Sequence, residues 1–168
     1  MDYFISDEHY YHANILMWKD EKAKRNFPSI DKMNREIIKR HNEKVSKNDV
    51  TYHLGDFTWL KSWKDSEHIL KSLNGKHHLI LGNHDLFSPW DYINMGFTTI
   101  HTHLILHDFL LVHDPAVAGG CTDMFVVHGH THALGKRLSS KTLCVSCEVV
   151  DYTPMSLSEI RLDFAGRE

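Results

Sequence analysis

Short apolar runs alternate along the chain with amphipathic stretches, and run length separates strands from helices. Residues 3–6 (YFIS), 50–54 (VTYHL) and 77–81 (HHLIL) are short, apolar and aromatic. Each ends at or just before Gly or Asp and predicts a strand. Between them, residues 31–46 place Met33, Ile37, Ile38 and Val45 near one helical face, with Asp31 as N-cap. Residues 62–73 turn Trp63, Ile69, Leu70 and Leu73 inward and close at Asn74-Gly75. Ser88-Pro89 opens a short helix over 88–95. Further on, HTHLIL and FLLVH flank His107-Asp108 as a hairpin, and DMFVV, KTLCVSCEVV and EIRLDF read as the remaining strands. Strands alternating with helices predict an α/β fold, and the absence of repeats or linkers predicts a single domain over residues 1–168.

Composition narrows the class. A chain of 168 residues buries roughly two-thirds of its extended surface. Its hydrophobic fraction of 42% and charged fraction of 24% are those of a globular protein. The net charge of −3, from 19 basic against 22 acidic residues, gives no overall attraction for nucleic acid or an anionic membrane. Neither stable nucleic-acid binding nor a membrane partner is expected. Lys32, Arg35, Lys39, Arg40 and Lys44 are interspersed with Asp31, Glu36 and Glu43 and read as a solvated helix face. No apolar run reaches membrane-spanning length, and MDYFISDEH lacks the charged and apolar regions of a signal peptide. A cytoplasmic location is the expectation. The three cysteines, Cys121, Cys144 and Cys147, are an odd count that argues against a disulfide framework. Cys144 and Cys147 are expected to be small packing residues. The histidine count of 15 is the outlier.

The histidines and carboxylates gather where apolar runs end. FVVHGHTH (125–132) closes a β-type run with three histidines, and ring nitrogens buried there need partners. Similar clusters follow the other runs: Asp7-Glu8-His9, Gly55-Asp56, Gly82-Asn83-His84-Asp85 and His113. In open α/β folds the ligand site lies at the carboxyl ends of the strands, so clusters distant in sequence converge in space. Each motif alone is weak, and a lone histidine is usually a satisfied core or surface residue. Carboxylate with imidazole suits two divalent ions of the Mn, Fe, Zn or Ni type rather than calcium. A bridging carboxylate holds such ions about 3.5–4 Å apart, the spacing of two-metal phosphoryl-transfer sites. Gly55, Gly82 and Gly129 let the chain turn sharply off its strands.

Taken together, DxH, GD, GNHD, a histidine after an apolar strand, and GHTH resemble the signature of the calcineurin-like metallophosphoesterases. The resemblance covers nearly the whole chain. ISDEHYYHANIL, TYHLGDFTW and CEVVDYTPMSLSEI are most similar to the small, cap-free bacterial and phage branch. It implies a four-layer α/β/β/α sandwich, two β-sheets flanked by helices. By motif position, Asp7, His9, Asp56 and His132 would hold one metal, and Asp56, Asn83, His113 and His130 a second. Mn is the first choice of ion. A metal-bridging hydroxide would attack phosphorus in line, and His84, no ligand itself, would protonate the leaving oxygen, which suits imidazole chemistry near neutral pH. His12 is a candidate contact to substrate phosphate, with a structural role as the competing reading.

The implied activity is a dinuclear-metal-dependent phosphodiesterase acting on a nucleotide-type or other phosphorylated small molecule. Alternatives are a phosphomonoesterase or pyrophosphohydrolase on the same site, or a non-catalytic metal-binding scaffold. GDFTWLKS lacks the Arg that follows GD in protein phosphatases, and a cap like that of the repair nucleases is not expected. A homo-oligomer is a candidate assembly. Asp85 is expected to orient its loop and His128 to pack or make a supporting hydrogen bond. Tyr10, Tyr11, Phe57, Trp59 and Phe87 are candidates to stack on substrate, with core packing the competing reading. His41, His53, His68, His77, His78, His101, His103 and His107 match no ligand position and read as surface or strand-face residues.

Overall fold

The computed structural model describes residues 1–19, 23–119 and 123–166; Cys121 lies outside them. Two sheets carry the strands. The first has the order β4 (Thr99–His101), β3 (Lys76–Ile80), β2 (Val50–His53), β1 (Asp2–Ile5), β9 (Met155–Ser156). Its first four strands are parallel, and β9 runs antiparallel to β1. The second has the order β5 (Leu104–Leu106), β6 (Phe109–Val112), β7 (Phe125–His128), β8 (Thr142–Cys144). Here β5 and β6 form the hairpin, and β6, β7 and β8 are parallel.

Side-chain alternation along the strands divides the core. In β1, Ile5 faces a helical layer while Phe4 faces the second sheet. The helical layer contains α1 (Ile30–Lys44), α2 (Trp63–Lys71) and α3 (Pro89–Met95), which press Met33, Ile37, Ile69, Leu70, Tyr92 and Met95 onto that face. Between the sheets, Phe4, Leu54 and Ile80 meet Leu111, Val127, Leu143 and Val145, and α4 (Leu157–Ala165) adds Ile160 and Phe164. The expected two sheets flanked by helices are therefore present. The fourth layer is thin among the described residues: a 3₁₀ turn, Pro115–Ala118, lies over Leu110, Val112 and Val126.

Four sequence readings change. EIRLDF is helical, inside α4, because Ser156 and Glu159 form a capping box and Ile160 and Phe164 are spaced to share a face. HTHLIL is split, with His101 ending β4 in one sheet and Leu104 starting β5 in the other. KTLCVSCEVV is a strand only over Thr142–Cys144; Ser146 then bridges to Ser6 and the chain turns. Ser29, not Asp31, caps α1, accepting the Lys32 N–H; Asp31 lies in the first turn.

Register positions the site. Ile5 lies opposite His53, which lies opposite Leu79, so the loops after β1, β2 and β3 leave at one level. Val112, His128 and Cys144 are likewise level across the second sheet. The Ser6–Ser146 bridge joins the two sheets at these carboxyl ends: Ser6 donates to the Val145 carbonyl at 3.0 Å and Cys147 to the Ser6 carbonyl at 2.9 Å.

Candidate metal centre

Five loops converge at that junction. The loop after β1 brings Asp7 and His9, that after β2 Asp56, that after β3 Asn83 and His84. Those after β6 and β7 bring His113, and His130 and His132. Asp7, His9, Asp56, His130 and His132 all have left-handed backbone, with φ of 59°, 49°, 58°, 66° and 36°. Such conformations cost non-glycine residues energy, and they cluster where function imposes geometry. Gly55, with φ of 95°, is the one glycine among the three that needs its conformational freedom. At Gly82 and Gly129 the reason is close approach: a Cβ would sit 2.2 Å from Asp56 Oδ1 and 1.9 Å from Ser6 Oγ respectively.

The side chains gather in two overlapping groups, Asp7–His9–His132 and Asp7–Asp56–His113, with ligand atoms within 4.8 Å of one another in each. Asp7 Oδ1 lies 3.3 Å from His132 Nε2 and 3.9 Å from His9 Nε2. Asp7 is common to both groups, and Asp56 Oδ2, in the second, lies 3.5 Å from His113 Nε2 and also 3.6 Å from His9 Nε2 of the first. Around His113 Nε2 stand Asn83 Oδ1 at 3.0 Å and His130 Nδ1 at 3.2 Å. All seven side chains singled out as ligands are thus brought together.

Hydrogen bonding defines what these atoms offer. His113 Nδ1 is 2.8 Å from the Leu54 carbonyl, which fixes the proton there. Its Nε2 then presents a lone pair to the Asn83 oxygen and to Asp56 Oδ2, contacts between acceptors that a cation makes favourable. His132 repeats the pattern, with Nδ1 donating to Glu148 at 3.1 Å and Nε2 facing Asp7. One oxygen of Asp7 is engaged, accepting from Ser146 Oγ at 2.7 Å and the His130 N–H at 3.0 Å. The other oxygen and both His9 ring nitrogens are buried with no hydrogen-bond partner. The carboxylate oxygen and the one unprotonated nitrogen of a neutral imidazole are acceptors, and such unpartnered buried acceptors fit divalent metal ions. Burial, then the charges of Arg25 and neighbouring histidines, holds His9 well below the usual imidazole range, so its ring is neutral and able to ligate.

Supporting residues that the sequence did not reveal lie behind this set. Arg25 is fully buried and donates to the backbone carbonyls of Asp7 and Glu8 and to Glu148 at 2.8 Å. It holds Glu148 ionised against the effect of burial, at about 2, with His132 assisting. His132 in turn is raised, its own burial outweighed by Glu148 and Asp7. Arg25 sits in a charged stretch indistinguishable from a solvated surface. Glu148 lies in CEVVDY, noted as a motif without a role for its carboxylate. Asp85, as expected, orients its loop, accepting the N–H groups of Asp56 at 2.7 Å, Phe57 at 3.1 Å and Gly82 at 2.8 Å.

Around the rim, the exposed His84 donates its backbone N–H to Asp56 Oδ1 at 2.9 Å, and its ring stands 4.7 Å from that of Trp59. His12 lies flat on Trp59 at 3.8 Å, with its ring 5.2 Å from His9. Burial and the nearby cations lower it to about 4. Tyr10 and Phe57 are core residues, and the Tyr11 hydroxyl pairs with His68 Nε2 at 2.9 Å, so only Trp59 and Phe87 of the aromatic candidates remain beside His84. His128 is buried in β7 against the Gly129 carbonyl, outside both groups. His53 and His77 are strand-face residues of β2 and β3, while His41 lies on α1 and is no surface residue; all three are buried where α1 and the first sheet close over them, and His53 also pairs with Glu8.

No family model matches the chain. It is 34% identical, over 168 residues, to "Uncharacterized protein MJ1445" of Methanocaldococcus jannaschii, the match covering 94% of this chain and 88% of that protein. Among solved structures, it is similar to the crystal structure of "the Protein of Unknown Function AQ665 from Aquifex aeolicus". The TM-score is 0.74 at 27% identity, covering 96% of this chain and 98% of that one.

Proposed function

The chain belongs to the family of the Methanocaldococcus jannaschii protein MJ1445, and for it we propose the activity of a dinuclear-metal-dependent phosphodiesterase with the architecture of a calcineurin-like metallophosphoesterase. The observation that carries this reading is the convergence of acceptor atoms from five strand ends on two adjoining positions, with Asp7 Oδ1 and the His9 nitrogens left unpartnered in the interior. Asp7, His9 and His132 would hold one divalent ion; Asn83, His113 and His130 would complete the second; Asp56 lies between. Imidazole, carboxylate and amide oxygen together suit Mn first, with Fe, Zn or Ni as alternatives.

Bound divalent ions supply Lewis acidity toward a phosphoryl oxygen and lower the pKa of a water nucleophile. This chain's own residues do the rest. The Asp56 carboxylate anchors the His84 backbone through the 2.9 Å contact, which sets the ring at the rim of the site. As water adds to phosphorus and the ester P–O bond breaks, His84 gives a proton to the departing oxygen and regains one from solvent. Asn83, His84 and His130 are solvent-exposed, so a phosphate carried on a larger molecule can reach them.

The test is hydrolysis of a diester and a monoester of 4-nitrophenol with Mn²⁺, with other divalent ions and with chelator. Diester cleavage abolished by chelator is the expected result. A preference for the monoester would replace diesterase with phosphatase, and inactivity toward both with two ions bound would favour a binding scaffold.

A further inference from the structure

Beside His84 the surface opens into a cavity of about 180 Å³ that none of the seven proposed ligands lines. It is built by extensions of two site loops: Leu60 and Lys61, downstream of Asp56, and Leu86 and Phe87, downstream of Asp85. Leu60, Leu86 and Phe87 supply apolar contact in a lining that Thr58, Lys61 and His84 make mixed, and Phe87 rests on the buried Tyr92 with ring centroids 5.4 Å apart. Lys61 brings the charge. Its ammonium lies 4.9 Å over the Trp59 ring, and Trp59 is the ring next to His84. The cation–π contact keeps the ammonium close to the cavity. No carboxylate pairs with Lys61 among the described residues. The volume falls below the roughly 300 Å³ at which sites for drug-sized ligands begin, so it accommodates one ring rather than several.

We propose that this cavity receives the leaving group of the phosphoester, and that this group is a single ring carrying an anionic substituent that Lys61 neutralises. The inference rests on the phosphoesterase reading. In that reading His84 protonates the departing oxygen, so the group attached to it lies on the His84 side, where the cavity is. A cavity of this volume takes a single ring, with Leu60 and Phe87 among the residues lining it, and an acidic substituent on that ring would meet the unpaired ammonium. A carboxylate and a phosphate are equivalent here as anions.

The experiment uses methyl 4-nitrophenyl phosphate and methyl 3-carboxy-4-nitrophenyl phosphate with the Mn²⁺-loaded protein. The measured quantity is the ratio of their kcat/KM values in the wild type, Lys61→Ala and Lys61→Arg. An exposed ion pair predicts a ratio favouring the carboxylated diester by about fivefold in wild type over that of Lys61→Ala, with Lys61→Arg retaining the preference. Equal ratios in wild type and Lys61→Ala would overturn the leaving-group site while the phosphoesterase reading stood. No metal-dependent hydrolysis of either diester would overturn both.

Discussion

At the scale of single residues, the site pays in backbone strain for the direction of its donors. Five candidate ligands in left-handed conformations cost on the order of 1–3 kcal/mol each, and the parallel strands below hold them there. His84 bears on chemistry and not on ligation in this account. His84→Ala is expected to lower kcat by about 10²–10⁴-fold with metal content unchanged; loss of ions from that variant would make His84 a ligand. Glu148 acts through another residue, fixing the His132 proton on Nδ1. Glu148→Gln is expected to weaken one of two metal-binding steps by about 10–100-fold and leave the other, which calorimetric titration with Mn²⁺ resolves. The convergence of the candidate ligands was legible in the sequence because metal chemistry restricts residue type and each sits just past a strand. Arg25 and Glu148 were not, because Arg25 bonds mainly to backbone carbonyls, which carry no sequence signature, and the pair it makes with Glu148 joins residues more than a hundred positions apart.

At the scale of elements, the centre depends on two sheets meeting end to end. The Ser6–Ser146 bridge makes that junction, and Gly129 passes so close that a methyl group would meet both Ser6 Oγ and, at 2.6 Å, Asp7 Oδ2. Gly129→Ala is therefore expected to destabilise the fold by about 1–3 kcal/mol and to weaken ion binding with it. Denaturant unfolding and metal analysis of one preparation check both; an unchanged variant would mean that the junction is looser than described. Most strands were legible from apolar runs bounded by Gly and Asp. EIRLDF was misread because a six-residue run does not separate the two periods. The deciding signal, Ser156 three residues before Glu159, was in the chain.

Across the whole molecule, a second set of histidines affects stability. Burial, the largest cause in each case, lowers His41 to about 4, His53 to about 3 and His77 to about 2. An unfolded chain takes up protons on these rings below about pH 6.5, while the folded chain does not until far lower pH. Stability complete above pH 6.5 is therefore lost as pH falls through that window, at up to about 1.4 kcal/mol per pH unit for each ring. The His41 share is lost between pH 6.5 and 4, while the His53 and His77 shares begin in the same window and continue to lower pH. His41 Nε2 is 2.9 Å from the Asn74 carbonyl, a bond that a glutamine amide can replace. His41→Gln is expected to flatten the fall in Tm between pH 6.5 and 4.5, and a slope equal to wild type would remove His41 from the explanation. These rings were read as surface or strand-face because the sequence does not show which layer will cover a histidine; His41, between Arg40 and Asn42, carries no local sign of burial.

The central claim is that five strand ends build two adjoining metal positions bridged by Asp56. Its most direct test is elemental analysis of the wild type and Asp56→Ala after equilibration with Mn²⁺ and removal of free ion. Two ions per chain are expected in the wild type and none in Asp56→Ala. Fewer than two in the wild type, or two retained without Asp56, would contradict it.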